Sequence, residues 1–349
     1  MNPDIYSIIG EKAALSGALI GFALVVAMYS TWAERKVAAY IQDRRGPDRA
    51  GWGGFLQPLA VGGKMFFKEE ITPRKANKFL FILGPTLAMT LALITGAVIP
   101  WSSEFSWGDS VINPMIADVN IGYLYILGVL SLGVYGMMIG SWASNNKWSL
   151  MGGIRGASQI ISYEIPLGLS LIAVFMISGS LSLSTIVNQQ LDGYWNVVVQ
   201  PLGFIIFLVC CFAETNRTPF DLPEAENELI GGYHSEYSSM KLGFFLFAEY
   251  VNVFITSVLL ATLYFGGYDI PFVNDAKLAD SIGINAMAII HFVVLFLKSC
   301  FFIFLFMWVR WTLPRFRYDQ LMDLGWKRLL PLALVNLIIT AFVILYFFN

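Results

Sequence analysis

Charge-free runs recur along the chain and are separated by shorter segments that contain the charges. Six of these runs are long enough to span a membrane, at 13–33, 79–103, 119–146, 165–191, 193–213 and 329–349. A spanning helix needs about 20 apolar residues. Two further apolar segments, about 243–265 and 284–309, contain the ionisable residues Glu249, His291 and Lys298. The pattern predicts eight transmembrane helices. The runs are continuous rather than alternating and too long for strands, so a β-barrel is disfavoured.

One charged segment has an apolar face of its own. In "GWGGFLQPLAVGGKMFFKEE" the side chains of Phe55, Leu59, Met65 and Phe66 oppose lysines and glutamates. A helix with this division lies in the plane of the membrane interface. We therefore expect an all-α polytopic membrane protein in which 1–349 form a single membrane domain with one interfacial amphipathic helix.

Basic residues are concentrated in alternate loops. The loops 34–78, 143–159, 214–242 and 310–328 contain 19 of the 22 lysines and arginines. Cytoplasmic loops of membrane proteins are enriched in Lys and Arg. The distribution predicts that these four loops are cytoplasmic and that both termini lie outside.

Composition supports the membrane assignment and limits the cofactors. The hydrophobic fraction is 57%, only 13% of residues are charged, and the mean hydropathy is +0.65. Soluble domains contain roughly 25% charged residues. The three cysteines, Cys210, Cys211 and Cys300, lie in or beside apolar runs and form no C-x-x-C motif. The sequence therefore does not support a zinc or other metal site or an iron–sulfur cluster.

Two glutamates fall within the predicted spans. Glu164 lies about one turn inside a helix, two residues before Pro166, and Glu249 lies roughly two turns into another. An acid at this depth is costly unless it has a partner, so both are candidate functional residues. For Glu164 the alternative is a glutamate near a helix N-terminus, stabilised by the helix dipole.

The loop 214–242 concentrates the acids. The stretch "ETNRTPFDLPEAENELIGGYHSEY" contains six carboxylates and a single arginine, Arg217. Glu224 and Glu228 share a face if the segment is helical. Crowded carboxylates raise one another's pKa, so some can be protonated near neutral pH, as a proton path requires. The alternative is a solvated acidic loop, but its prolines and apolar residues count against that interpretation.

The basic stretch "AERKVAAYIQDRRGPDRAG" allows two interpretations. It could anchor the chain to lipid head groups. Its interleaved acids and the Gly46–Pro47 turn instead suit a face that docks a protein partner or lines the entrance to a site. The residues alone leave both open.

Four motifs make the chain recognisable. They are "ERKVAAYIQDRRGPDRAGWGGFLQPLAVGGKMFFKEE", "IRGASQIISYE", "AETNRTPFDLPEAENELIGGYHSEY" and "WVRWTLPRFRYDQLMDLGWKRLLP". Over nearly its whole length the chain closely resembles the family of H-type membrane subunits of NADH–quinone oxidoreductase (respiratory complex I), whose mitochondrial counterpart is subunit 1 of NADH dehydrogenase. One departure is visible, because Val61 stands where that family usually has an acid.

The resemblance implies a subunit that forms the quinone entrance and the lower quinone cavity, and that couples quinone reduction to proton translocation without catalysing alone. It implies a proton relay of Glu164, Glu214, Glu224, Glu226, Glu228 and Glu249. It implies a quinone-access face of Arg35, Arg44, Arg45, Phe55, Leu59, Met65, Phe66, Phe220 and Arg310.

The same resemblance implies the surroundings of the chain. Quinone would be the substrate, this chain would bind no cofactor, and FMN and iron–sulfur clusters would lie in partner subunits. Partners would be the quinone-site subunits of the peripheral arm, small membrane-arm subunits and membrane lipids, without nucleic acid. The location would be the bacterial inner membrane, or the mitochondrial one if organellar. The alternatives are a homologous component of a membrane-bound hydrogenase or of another quinone or F420H2 oxidoreductase, and a standalone ion transporter.

Overall fold

The fold is a bundle of α-helices. The computed structural model describes residues 3–107, 110–224, 226–271 and 282–347. In chain order the helices are α1 (Pro3–Ile41), α2 (Gln57–Phe67), α3 (Lys78–Ile94), α4 (Gly122–Ala143), α5 (Lys147–Ser178), α6 (Leu183–Asp192), α7 (Asn196–Val199), α8 (Pro201–Glu214), α9 (Glu226–Leu229), α10 (Ser239–Tyr264), α11 (Ile284–Thr312), α12 (Tyr318–Asp323) and α13 (Leu330–Phe347).

Within the described residues, seven helices are long and apolar enough to cross a membrane. They are α1, α3, α4, α5, α10, α11 and α13. The span of α3 continues to Val98, and that of α13 begins at Tyr318 and so includes α12. The all-α membrane architecture is thereby confirmed. The predicted number of eight is not, and the side of the membrane on which the termini lie stays a prediction.

The predicted span 193–213 is broken in the structure. It consists of the short α7 followed by α8, which has 14 residues. At 1.5 Å per residue α8 is about 21 Å long, less than the roughly 30 Å hydrocarbon core. Pro201 begins α8, and the side chain of Gln200 just before it donates to Thr340 Oγ1 (2.6 Å) and accepts from Asn336 Nδ2 (3.0 Å) on α13. These bonds hold the break against a neighbouring helix.

The predicted span 165–191 and the predicted loop 143–159 are also corrected. The chain is helical from Lys147, because the Asn146 side chain accepts from the Trp148 amide at 3.0 Å and caps α5. The same helix ends at Gly179, whose φ of +65° is the left-handed conformation that glycine adopts at helix C-termini. Residues 183–192 then form the separate helix α6. Glu164 consequently lies in the middle of α5 rather than near its start.

The segments 57–67 and 101–118 complete the description. The predicted amphipathic segment forms the helix α2, on which Phe66 is 70% exposed, and its position in the membrane interface stays a prediction. The segment 101–118 contains a two-stranded antiparallel hairpin that the sequence did not predict, β1 (Phe105–Trp107) with β2 (Ser110–Ile112).

The core is centred on α10, which is the most enclosed of the seven long helices. It packs against α1, α3 and α11, and α3 lies against α4. At that last contact a Cβ added at Gly84 would lie 2.7 Å from the Gly140 Cα, so only glycine permits this approach. The enclosure of α10 places Glu249 inside the bundle.

Candidate functional site

A buried charge cluster joins four segments near one end of the bundle. Glu34 of α1 accepts from Arg217 Nη1 at 3.0 Å and from Arg310 Nη1 of α11 at 2.6 Å. The hydroxyl of Tyr250 on α10 donates to the same carboxylate at 2.8 Å, and its ring lies 4.2 Å from the Arg217 guanidinium carbon. The side chains of Glu34 and Arg217 are 7% and 5% exposed. Two cations and a hydroxyl thus pair with the Glu34 carboxyl group inside the protein.

A small polar cavity lies beside this cluster. Its volume is about 60 Å³, and it is lined by Glu214, Glu249, Asn216, Tyr233 and Asn252 together with apolar residues of α3, α4, α5 and α10. A water needs roughly 10–15 Å³ of such volume and two to four polar partners. The cavity therefore has room for about four waters, with carboxyl and amide groups to bind them.

Several of the predicted relay acids are brought together around this cavity. Glu164 on α5 accepts a hydrogen bond from Ser131 of α4 and lies close enough to Glu214 for their charges to interact. Glu214 and Glu249 line the same cavity. Glu249 accepts from the Tyr233 hydroxyl at 2.9 Å and is in hydrogen-bonding contact with Glu224. Four acids from three helices and one loop thus form a contiguous series.

The loop between α8 and α10 contributes three ionisable groups. His234 Nε2 lies 3.3 Å from Glu224 Oε1. Burial opposes ionisation of Glu224, but the contacts with His234, Glu249 and Arg217 together outweigh it and lower the pKa of this carboxyl. Burial opposes the charged form of His234 as well, yet Glu224 raises the pKa of the imidazole. Burial and the neighbouring Glu224 raise the pKa of Asp221 to about 7, against the opposing effect of Arg315 and Arg217.

Of the two remaining predicted relay residues, Glu228 lies apart from this series. Glu228 on α9 forms an ion pair with Arg155 of α5, 2.6 Å between Oε2 and Nη1, and its side chain is half exposed. The side chain of Glu226 lies outside the described residues. The shared helical face expected for Glu224 and Glu228 is not formed, because α9 begins only at Glu226.

An apolar groove of about 450 Å³ runs between α1 and α11. Tyr29, Phe55, Cys300, Phe304 and Met307 are among its lining residues. Phe55 stacks on the Tyr29 ring at 4.6 Å between centroids. Met307 also borders the Glu34–Arg217 cluster, so the groove adjoins the buried charges.

The other predicted access residues do not line the groove. Leu59 and Phe66 are exposed on α2, whereas Met65 packs against Gly243 of α10. Phe220 is buried between the rings of Tyr163 and Phe316. Arg310 is part of the buried cluster. Arg35, Arg44 and Arg45 are exposed at the end of α1 and in the turn that follows it.

Sequence reasoning missed the pairing of Glu34 with Arg217 and the positions of Tyr233 and His234. Glu34 and Arg217 are 183 residues apart. Each lies in a charged stretch that sequence reasoning interpreted as a whole, without assigning a role to either residue alone. The one signal available was that Arg217 is the sole cation in a run of six acids.

These features define a multi-pass membrane protein with ionisable groups enclosed in its helical bundle. The sequence profile of the family described as NADH dehydrogenase matches residues 14–341. Two similar relatives are the H-type subunit of NADH-quinone oxidoreductase from Flavobacterium johnsoniae, 58% identical over 96% of this chain and 95% of the relative, and an H-type subunit of the same enzyme from Cytophaga hutchinsonii, 60% identical over 97% of both. NADH-quinone oxidoreductase subunit 8 of Rhodothermus marinus is 48% identical over 93% of this chain and 96% of its own. The chain belongs to the NADH dehydrogenase family.

Proposed function

We propose that this chain is a membrane subunit of an NADH–quinone oxidoreductase that admits the quinone and couples its reduction to proton translocation. Support comes from the family membership and from relatives that cover nearly the whole chain and are named as subunits of that enzyme. In this role the chain holds no redox group. The FMN, the iron–sulfur clusters and the peripheral arm belong to partner subunits, and the assembly lies in the bacterial inner membrane.

The observation that supports quinone access most directly is the groove between α1 and α11. An isoprenoid tail needs an apolar path, and a quinone head group needs hydrogen-bond partners at the end of it. The groove is lined almost entirely by apolar side chains, and it adjoins the Glu34–Arg217–Arg310 cluster at Met307. In the proposal the tail lies in the groove while the head group passes the charged cluster.

Proton transfer is supported by the series Glu164, Glu214, Glu249 and Glu224. Carboxyl groups in contact, or bridged by water, exchange protons because the energies of their protonated and ionised forms are close. The cavity between Glu214 and Glu249 has the volume and polar lining that bridging waters require. A quinone reduced beside this series would change the charge acting on it and so bias where its protons lie.

The groove can be tested by filling it with a side chain. Cys300 lines the groove between α1 and α11, so Cys300→Phe should obstruct a long tail while leaving the buried charges in place. We expect the Michaelis constant for a long-tail quinone to rise about tenfold or more in purified complex, and that for a short-tail quinone to change little.

The control is a matched substitution at another apolar groove. Ile139 lines a cavity of about 310 Å³ between α4 and α5, and Ile139→Phe should leave both constants unchanged. Equal changes for long and short quinones in Cys300→Phe would refute the groove as a tail path. A purified complex without any quinone reductase activity would refute the proposed function, and ion flux by the isolated chain would favour the transporter alternative.

A further inference from the structure

His234 lies in the loop between α8 and α10 and contacts one acid of the series. Its side chain is 18% exposed and that of Glu224 is 16% exposed, with 3.3 Å between Nε2 and Oε1. The imidazole also packs edge-on against the ring of Tyr233, with 5.0 Å between centroids. The chain contains only two histidines, and this one contacts an acid of the series.

The partner of His234 is itself one half of a carboxyl pair. Glu224 is in hydrogen-bonding contact with Glu249 of α10, and the Tyr233 hydroxyl donates to Glu249 from the other side. Two carboxyl groups in contact share a single proton, because ionising both at short range is unfavourable. The histidine therefore touches only one of two groups between which one proton is divided.

We propose that His234 is a positioning residue whose charge decides whether the shared proton lies on Glu224 or on Glu249. The proposal rests on the proposed proton-coupling function and deepens it. A charged imidazole stabilises the Glu224 carboxylate and leaves the proton on Glu249, which faces the interior cavity. A neutral imidazole withdraws that stabilisation, and the proton returns toward Glu224 and the loop.

The electrostatic surroundings agree with this role. The charged groups that act on His234 are Glu224 and Asp221, and both favour the imidazolium. Those that act on Glu224 include His234, Glu249 and Arg217. Arg155 on the adjacent α5 is paired with Glu228. The pKa of the imidazole lies above its ordinary value of about 6.5, so the imidazolium persists to higher pH than that of a free histidine.

The test uses the intact complex in native membranes and measures quinone reductase activity and proton uptake against pH. In the wild type, turnover should fall as pH rises through the pKa of His234. His234→Asn should show no such fall and should have at every pH the low rate that the wild type reaches only in alkali, about tenfold below its neutral rate, since loss of a nearby opposite charge shifts a proton equilibrium by one unit or more. His234→Lys should keep the high rate to higher pH than the wild type does, because a lysine ammonium loses its proton only near its own, higher pKa.

The matched control is His291→Asn, which changes the other histidine, on α11 beside Ser103. It should leave the pH profile of the wild type intact. An unaltered pH profile in His234→Asn, or equal losses in the Asn and Lys variants without a change in pH dependence, would overturn the proposal while leaving quinone reduction by the complex established.

A second measurement does not depend on the His234 variants assembling. Infrared difference spectra of the wild-type complex, with Glu249→Gln used to assign the band, should show the protonated Glu249 carboxyl signal decreasing as His234 deprotonates. A Glu249 signal that stays constant across that pH range would refute the positioning role.

Discussion

Buried polar side chains near the two ends of α10 have different kinds of partner. Near its Ser239 end, Glu249 meets another carboxyl group, and a third acid lies across a cavity large enough for water. Near its Tyr264 end, Gln190 Oε1 accepts from the amides of Asn196 and Gly266 at 3.1 and 3.0 Å. Gln190 Nε2 donates to the Thr262 carbonyl at 3.0 Å. There the side chains bind backbone groups that the helix end leaves unpaired.

Lys298 belongs to the Tyr264 end and illustrates the same principle. Its ammonium donates to the carbonyl oxygens of Phe265, Gly267 and Asp269 at 2.7, 2.9 and 2.7 Å. It also lies 4.5 Å from the centre of the Trp195 ring. A lysine within a predicted span suggests a proton or ion path from sequence alone, yet here its three donors hold a turn against α11.

The difference between the two ends distinguishes structural from functional polarity. A network whose donors and acceptors are all matched has one stable arrangement and stabilises the fold. A pair of carboxyl groups that shares one proton has two arrangements of similar energy, so a nearby charge can select between them. Burial alone therefore does not single out the residues of the proposed relay; the presence of acids facing acids is what supports it.

The largest expected effect comes from Arg217→Met, which removes the cation that is paired with the buried Glu34. Breaking a buried ion pair destabilises a protein by about 3–5 kcal/mol. We expect a large loss of assembled complex on a native gel. Arg217→Lys keeps the charge and should retain more complex. Normal assembly of Arg217→Met would show that Arg310 alone compensates Glu34.

The next largest effect is expected for Lys298→Met, which leaves three carbonyls without this donor. Each buried polar group left unsatisfied costs about 1–3 kcal/mol, so the variant should lose about 3 kcal/mol or more of stability. The melting temperature and yield of the complex should fall, while turnover per assembled complex stays close to wild type. A normal melting temperature with lost turnover would contradict the structural role of Lys298 and place this residue in a proton path.

Glu249→Gln should show the converse behaviour. Glutamine can still accept from the Tyr233 hydroxyl, so the amount of complex should change little. It cannot ionise, so turnover and proton uptake should fall about tenfold or more, equivalent to about 1.4 kcal/mol in the barrier. Quinone reductase activity per assembled complex is the measurement, with Tyr233→Phe as the control that removes the hydrogen bond alone. Turnover unchanged by the Gln variant would contradict the relay.

The smallest effect is expected for Glu228→Gln. Its pair with Arg155 is partly exposed, and exposed pairs contribute about 0–1 kcal/mol. The stability of the complex should change by less than that amount, and turnover should fall less than in Glu249→Gln. Thermal stability and turnover per assembled complex, both measured in the two variants, would check the order. A greater loss of turnover in Glu228→Gln than in Glu249→Gln would indicate that this surface residue is an essential part of the proposed relay.

The sequence pattern by itself determined the class of fold, the positions of most spans and the concentration of carboxylates in the segment after residue 213. Those properties depend on the transfer of whole segments into an apolar phase, which composition alone controls. The same reasoning missed the break at Gln200 and the start of α5 at Lys147, because single caps and side-chain bonds to distant helices set those boundaries.

Only the tertiary structure decided which charges meet. Sequence distance contains no information on the contact of Glu34 with Arg217, of Glu224 with Glu249, or of His234 with Glu224. Those contacts arise from the packing of α1, α10 and α11 and from the path of the loop after α8. The electrostatic energy of a charge depends on separations of a few ångströms and on burial, and both exist only once the helices have packed.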